Sequence, residues 1–142
     1  MDFDLCANTN KNEFAFRFEV ELQNFIVHNL TTIDSGLQLY TDEDVDGVEF
    51  KTGVGPIDIL AQDIDGGFVV FELKLSRGED AALGQIQRYM GWVKSNLANG
   101  APVRGVIVAK SISEKLRYAA SVANHISLFE YAVTFHIEKA EL

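Results

Sequence analysis

Apolar residues recur along the chain with two periods, one typical of helices and one typical of strands. Over about residues 12–29, and again over 79–98 and 113–124, they return at spacings of three and four, which predicts amphipathic helices. Ser113 is a candidate cap for the last of these helices, and Asn99-Gly100 ends the one before it. The predicted core stripes are Phe14, Phe18, Leu22, Phe25 and Ile26 in the first helix and Leu83, Ile86, Met90, Val93 and Leu97 in the second.

Short apolar runs between the helices predict strands. These runs cover residues 37–40, 47–53, 57–64, 68–75 and 103–109, and residues 126–137 hold one or two more. The run 68–75, FVVFELKL, is apolar on both faces, which predicts a central strand covered on both sides. Asp65-Gly66-Gly67 joins it to the preceding run and predicts an antiparallel hairpin. Helices interleaved with strands in this way predict an α/β domain with a mixed β-sheet flanked by helices.

Composition narrows the setting of this domain. A chain of 142 residues with one cysteine and an acidic, polar N-terminus predicts a single cytoplasmic domain over residues 1–142, with residues 1–11 as a loose arm or edge strand. No apolar run approaches the ~20 residues that a membrane span needs. The net charge of −9 argues against tight, unaided DNA binding, which depends on Lys and Arg neutralising phosphates. The acidic stretch TDEDVDG lacks the glutamate and the following helix of an EF-hand, which favours a solvated loop over a calcium site.

Three charged residues, Asp58, Glu72 and Lys74, lie inside the otherwise apolar hairpin. A charge in such a segment must be paired, bound to metal or catalytic, because burying it alone is costly. If the turn uses the three residues 65–67, all three charges share one face of the sheet, whereas a two-residue turn would separate them. The three-residue turn places Ile64 opposite Phe68, Leu60 opposite Glu72 and Asp58 opposite Lys74.

Two carboxylates and an amine on one face predict a site for a divalent cation. The carboxylates repel each other, and Mg²⁺ or Mn²⁺, which prefer oxygen ligands, would relieve that repulsion. Lys74 would then orient the attacking water or neutralise charge on a phosphate, and Glu19 of the first helix would complete the acidic set. The alternative is a structural ion pair between Asp58 and Lys74 on a solvent-facing strand.

The spacing of these residues resembles a known signature. Asp58, followed fourteen residues later by Glu72-Leu73-Lys74, resembles the PD-(D/E)XK nuclease motif, although the proline here stands two residues before the aspartate. Gln85 and Tyr89 resemble the Gln-X-X-X-Tyr motif of the RecB-like nucleases within that superfamily. The blocks GPIDILAQDIDGG, VVFELK, GQIQRYMGWV and VRGVIVAK together resemble the C-terminal catalytic domain of NucS-type endonucleases over roughly residues 13–135.

This resemblance implies a restriction-endonuclease-like αβββαβ core and cleavage of DNA phosphodiester bonds with Mg²⁺ or Mn²⁺. The implied setting is DNA repair or the processing of branched, single-stranded or mismatched DNA. The implied roles are metal ligand for Asp58, Glu72 and Glu19, with Glu21 as second choice for the helix acid, catalytic lysine for Lys74, and site lining for Gln85 and Tyr89. NucS-type proteins carry an N-terminal domain for DNA binding and dimerisation, for which this chain has no room. We therefore expect a homodimer through other surfaces or a separate DNA-binding partner.

Other functions stay open on the sequence. The acidic charge and small size suit a non-catalytic DNA- or protein-binding module that keeps the nuclease fold, and no residue identifies a reader of the RNA 2′-hydroxyl that would separate DNA from RNA. Trp92 is interpreted as a core or dimer contact, and the three histidines as structural. Candidates for phosphate contacts are Arg77, Arg88, Lys94, Arg104 and Arg117.

Overall fold

The computed structural model describes the backbone of residues 11–142 and the side chains of residues 17–142. The arm predicted at the N-terminus falls almost wholly on residues 1–10 and lies outside the described residues, while Lys11 already begins a helix. The elements are, in chain order, α1 (Lys11–His28), α2 (Leu30–Ile33), β1 (Gln38–Leu39), β2 (Thr41–Asp42), β3 (Val45–Asp46), β4 (Val48–Thr52), β5 (Gly55–Gln62), β6 (Phe68–Gly78), α3 (Ala81–Asn96), β7 (Val103–Ile112), α4 (Glu114–Ser121) and β8 (Ile126–Glu130).

A mixed sheet forms the centre of the fold. Its strand order is β1-β5-β6-β7-β8, and β4 also pairs with β5, so that β1 and β4 share the outer edge of that strand. The pairing of β5 with β6 is antiparallel, whereas β6, β7 and β8 run parallel to one another. The mixed α/β sheet is therefore confirmed, and the run that is apolar on both faces forms the central strand β6.

Two apolar clusters cover the two faces of the sheet. The α1-side cluster joins Leu22 and Ile26 of α1 to strand residues such as Phe71. The α3-side cluster joins Ile86 and Val93 of α3 to strand residues that include Leu60, Val70 and Ile107. Since successive residues of β6 alternate between these clusters, neither face of the central strand is open to solvent at its middle. No helix in the described part of the chain is both long and apolar enough to cross a lipid bilayer.

The helices differ from their predicted stripes in two places. Phe25 of α1, predicted to be in the core, is 65% exposed, because the buried stripe narrows to Leu22 and Ile26. In α3 the buried line runs through Ala82, Ile86, Tyr89 and Val93, so the predicted residues Leu83, Met90 and Leu97 lie on its partly buried flanks. Phe14 lies outside the described side chains. The predicted cap of α4 is confirmed, since Ser113 Oγ accepts the Leu116 N–H at 3.0 Å.

Two connecting segments also differ from prediction. The acidic stretch predicted as a loop forms the small hairpin of β2 and β3, in which Asp42 pairs with Val45. The final strand β8 ends at Glu130, and residues 131–142 form neither helix nor strand. The alternation of Val133, Phe135 and Ile137 therefore does not mark a strand of this sheet, and these side chains are exposed.

The hairpin between β5 and β6 has a three-residue loop, one position earlier than predicted. Gln62 pairs with Phe68, and the Asp63 N–H donates to the Gly67 carbonyl at 2.8 Å, which leaves residues 64–66 in the loop. Gly66 closes the loop with φ +89°, a left-handed conformation that glycine adopts without steric cost. The predicted pairing of Ile64 with Phe68 is therefore wrong, and the register moves by two residues.

Candidate active site

The observed register brings two carboxylates face to face. Ile59 pairs with Phe71, and continuing the ladder by one residue places Asp58 opposite Glu72. The predicted partners of these residues, Lys74 for Asp58 and Leu60 for Glu72, are wrong because the loop begins one residue earlier. The two carboxylates lie close enough for the negative charge of Glu72 to raise the pKa of Asp58, and the prediction that all three charged side chains share one face stays a prediction.

Asp58 is held against the backbone of the central strand. Its Oδ2 accepts the N–H of Leu73 at 2.8 Å, so the carboxylate takes the place of a main-chain acceptor at the end of the β5–β6 ladder. Burial raises the pKa of Asp58 to about 7, against the lowering effect of the Leu73 hydrogen bond. The negative charges of Glu72, Glu49 and Glu19 raise this pKa further. At neutral pH this site therefore holds a carboxylate that resists ionisation unless positive charge is supplied.

Glu72, Lys74 and Gln85 form a chain of polar contacts between β6 and α3. Lys74 Nζ lies 3.1 Å from Glu72 Oε1 and donates to Gln85 Oε1 at 2.7 Å. Burial raises the pKa of Glu72, and the neighbouring Lys74 ammonium opposes that rise. In the described structure Lys74 therefore pairs with Glu72. The ion-pair alternative had predicted Asp58 as its partner.

The second residue of the α3 motif occupies a different position from the first. Gln85 reaches the lysine, whereas Tyr89 is only 8% exposed and belongs to the α3-side cluster. Its hydroxyl lies next to Gly55, where an added Cβ would come within 3.0 Å of the oxygen. The guanidinium of Arg88 lies 5.1 Å from the Tyr89 ring centroid. Tyr89 thus packs the start of β5 against α3, and the prediction that it lines the site stays a prediction.

The helix acids lie at the margin of the site. Glu19 and Glu21 are both exposed on α1, and the charge of Glu19 raises the pKa of Asp58 and of Glu72. Among the described residues, no group of three or more His, Cys, Asp or Glu side chains is arranged to hold a metal ion. The site as described is therefore a pair of carboxylates with a nearby acid, and Glu19 as a third ligand stays a prediction.

Two residues that lie beside Asp58 were not predicted from the sequence. Gln23 is buried on α1, and its Nε2 donates both to the Asp58 carbonyl at 2.8 Å and to Glu49 Oε1 at 3.1 Å. A sequence signal for Gln23 existed, because it lies four residues after Glu19 and so on the same helix face. Nothing local distinguishes Glu49, whose position depends on pairing between strands β4 and β5.

Most of the basic candidates for phosphate contacts bind carboxylates of the chain itself. Arg104 contacts both Asp63 and Asp34, Arg117 contacts Glu130, and Arg77 lies 3.5 Å from Glu79. Arg88 is exposed beside the site, where its charge lowers the pKa of Glu72. Arg88 is therefore the candidate from this set that lies electrostatically within reach of the carboxylate pair.

The fold and this site together define a restriction-endonuclease-like domain with a PD-(D/E)XK arrangement of residues. The sheet order, the antiparallel hairpin that carries Asp58 and Glu72, and the lysine two residues further along the same strand all follow that pattern. The chain belongs to the family of the Endonuclease NucS C-terminal domain, whose family model matches residues 18–127.

Curated relatives and solved structures agree with this assignment. The chain is 33% identical over 103 residues to "Endonuclease NucS" of Parafrankia sp. (strain EAN1pec), covering 72% of this chain and 44% of that relative. It is 35% identical over 100 residues to "Endonuclease NucS 1" of Halobacterium salinarum, covering 70% of this chain and 39% of that relative. The chain thus spans less than half the length of these relatives.

Two solved structures resemble the fold. A repair endonuclease from Pyrococcus abyssi has a TM-score of 0.67 at 27% identity, covering 80% of this chain and 46% of that chain. A structure described as an EndoMS–dsDNA2 complex has a TM-score of 0.62 at 26% identity, covering 79% and 44%. The similarity in each case takes in most of this chain and a little under half of the other.

Proposed function

We propose that this chain acts as a metal-dependent endonuclease domain that hydrolyses phosphodiester bonds of DNA during repair. The observation that carries the proposal is the proximity of half-buried Asp58 to buried Glu72, with Lys74 bonded both to Glu72 and to Gln85 of α3. Membership of the NucS family and the described activity of its relatives support the same reaction. A cytoplasmic setting and a role on branched, single-stranded or mismatched DNA belong to this proposal.

The carboxylate pair fits a hard divalent cation such as Mg²⁺ or Mn²⁺. Asp58 is half-buried and Glu72 is buried, and burial raises the pKa of each, so nearby positive charge would favour their ionised forms. Oxygen ligands of this kind are the ones that Mg²⁺ and Mn²⁺ prefer. Asp58 and Glu72 would hold the ion, with Glu19 as a further acid from α1. When bound, such an ion supplies Lewis-acid stabilisation of the phosphate and lowers the pKa of water.

Lys74 supplies the positive charge that the chain itself brings to the reaction. Its ammonium has three N–H donors, and Glu72 and Gln85 accept two of them. The third orients the attacking water or stabilises the charge that develops on the phosphate oxygens. Gln85 fixes the direction of the ammonium, because its amide oxygen accepts at 2.7 Å from a helix packed on the strand. Hydrolysis then adds water across the P–O bond, with hydroxide on phosphorus and a proton on the leaving oxygen.

Affinity for DNA needs a source beyond the surface of one copy of this domain. The chain carries a net charge of −9, and Arg104 and Arg117 bind its own carboxylates. Proteins gain most of their affinity for DNA from Lys and Arg side chains that neutralise its phosphates. An acidic domain of this kind therefore binds DNA weakly by itself. We therefore include a homodimer or a separate DNA-binding partner in the proposal.

A nuclease assay on the purified chain tests the proposal. End-labelled single-stranded, branched and mismatched DNA is incubated with Mn²⁺ or Mg²⁺ or with chelator, using wild type, Lys74→Ala and the control Lys115→Ala, which changes an exposed lysine of α4. We expect metal-dependent cleavage that Lys74→Ala lowers by about 100-fold or more and the control leaves intact. If wild type and Lys74→Ala leave every substrate equally uncut, catalysis by this chain alone is excluded. DNA binding without turnover would favour the binding-module alternative.

A further inference from the structure

Glu49 has an unusual backbone conformation at the place where β4 passes Asp58. The register pairs Val48 with Ile59 and Phe50 with Ile57, so Glu49 lies opposite Asp58. Its φ is +49°, in the left-handed region, although it is neither glycine nor part of a turn. For a residue with a Cβ this conformation costs on the order of 1–2 kcal/mol, and such strain is concentrated at functional sites. The conformation persists because the surrounding contacts favour it.

Strand β5 changes the face it presents at the same point. Ile59 belongs to the α1-side cluster, while Ile57 belongs to the α3-side cluster. Regular alternation would place both side chains on one face, since they are two residues apart. The alternation of side chains along β5 therefore breaks at Asp58, opposite the positive φ of Glu49, and we call this irregularity the bend. This bend sets the direction of Asp58 relative to the regular part of the sheet, where its carboxylate reaches the Leu73 N–H.

A single buried amide ties the bend to helix α1. Gln23 is 6% exposed, and its Nε2 donates one hydrogen bond to the Asp58 carbonyl and one to the Glu49 carboxylate. Both protons of the amide nitrogen are thereby used. A buried donor that loses its acceptor is unfavourable. The Gln23 amide, the Asp58 carbonyl and the Glu49 carboxylate therefore hold one another in position. Through Gln23, α1 sets the position of the backbone that carries the first carboxylate of the site.

We propose that Glu49 and Gln23 are positioning residues that hold Asp58 beside Glu72 in the geometry needed to bind a divalent cation. This inference rests on the proposed function and assigns the second layer of the same site. Glu49 acts as a hydrogen-bond acceptor for Gln23 and as the bend in β4, and it is not one of the proposed ligands of the cation. Groups that orient metal ligands in this way commonly contribute about 10- to 100-fold to metal affinity.

Metal binding in the absence of DNA tests this role without a measurement of activity. Mn²⁺ affinity is measured by titration calorimetry for wild type, Glu49→Ala, Glu49→Gln, Gln23→Ala and the control Glu43→Ala. Glu43 is matched to Glu49, because it is also an exposed glutamate with positive φ, here +52°, and it lies in the β2–β3 hairpin away from the site. We expect Glu49→Ala to weaken Mn²⁺ binding about tenfold or more, and the control to change it by less than about twofold.

The conservative variant separates positioning from charge. Glu49→Gln keeps an oxygen that accepts the Gln23 hydrogen bond, so we expect its Mn²⁺ affinity to lie within about threefold of wild type. Glu49→Ala and Gln23→Ala break the same contact, so the double variant should lose no more affinity than the larger single loss. Glu49→Gly adds a check on folding, because glycine adopts positive φ freely; it should unfold no earlier than Glu49→Ala in chelator and still bind Mn²⁺ poorly.

The outcomes distinguish this inference from the proposed function. If wild type binds Mn²⁺ and cleaves DNA while Glu49→Ala binds Mn²⁺ within twofold of wild type, the positioning role is wrong and the proposed function stands. A loss in Glu49→Gln as large as in Glu49→Ala also overturns it, since the carboxylate charge would then be what matters. If wild type neither binds Mn²⁺ nor cleaves DNA, the proposed function fails first, and there is no cation for Glu49 to prepare.

Discussion

Replacing Asp58 by asparagine should stabilise the metal-free protein at alkaline pH. Burial raises the pKa of Asp58 from an ordinary 3.8 to about 7 in the folded state. Between those pH values the folded chain binds more protons than the unfolded chain, so the stability of wild type falls as pH rises from about 4 to about 7. Asparagine is neutral throughout and can still accept the Leu73 N–H through its amide oxygen.

The size of the effect follows from the shift in pKa. A shift of about 3 units corresponds to about 4 kcal/mol at 1.36 kcal/mol per unit, and partial access of solvent to the carboxylate reduces this to about 2–4 kcal/mol. For a domain of this length that gain corresponds to a rise in melting temperature of about 6–12 °C. At pH 5 only part of the window has been crossed, so the gain there should be about 2 kcal/mol smaller than at pH 8.

Urea unfolding in chelator at pH 5 and pH 8 measures this difference. Glu72, whose pKa is also raised by burial, titrates in both proteins, so comparing wild type with Asp58→Asn isolates the aspartate. The control is Asp44→Asn, which changes an exposed aspartate in the β2–β3 hairpin and should alter stability by less than about 0.5 kcal/mol. A loss of stability in Asp58→Asn at pH 8, or an equal gain at both pH values, would refute the conclusion that burial raises the pKa of Asp58.

Three further predictions concern metal, an ion cluster and the core. Millimolar Mn²⁺ should raise the melting temperature of wild type at pH 8 and leave that of Asp58→Asn unchanged, which differential scanning fluorimetry would detect. Arg104→Ala should cost about 1–3 kcal/mol, because it leaves the partly buried Asp63 without its cation, and it should not change the rate of DNA cleavage; a loss of DNA affinity would show that the arginine also contacts phosphate. Phe71→Ala should cost about 3–5 kcal/mol by urea unfolding, since Phe71 is fully buried in the central strand, and a cost below 1 kcal/mol would contradict the packing described.

The central strand and the class of fold were predictable because their signals are local. The run FVVFELKL carries apolar residues on both faces, and this pattern is typical of a strand that is covered on both sides. The helix ends were signalled by single residues. Ser113 is one of them, because its hydroxyl accepts the Leu116 N–H in the first turn of α4. These features depend on a few neighbouring residues, so the sequence alone contains them.

The turn of the hairpin was predictable in length and not in position. Ile64 is apolar and is therefore predicted to lie in the strand, but in the structure this side chain is 89% exposed at the loop. The left-handed conformation falls on Gly66 and not on Gly67, and two adjacent glycines give no local preference between those choices. The pairing of β5 with β6 decided the position of the turn, and the register moved by two residues.

The support of the site was beyond reach of sequence reasoning. Gln23 and Glu49 are 26 residues apart, and their contact exists only because α1 packs on β5 and β6 while β4 pairs with β5. Tyr89 shares a helical motif with Gln85, yet a rotation of the buried line on α3 puts one side chain in the core and the other at the lysine. Such contacts depend on how whole elements are placed, and no spacing in the chain encodes that placement by itself.

The hydrogen bond between Asp58 and Leu73 makes one backbone proton an internal reporter. The Leu73 N–H donates to the side chain of Asp58, so its exchange with deuterium is sensitive to opening of that contact as well as to opening of the sheet. Its exchange rate, measured by NMR, would report whether the contact between Asp58 and Leu73 is intact, and it needs neither substrate nor chemical label. Ligands and variants could then be ranked by the exchange rate of this one amide proton.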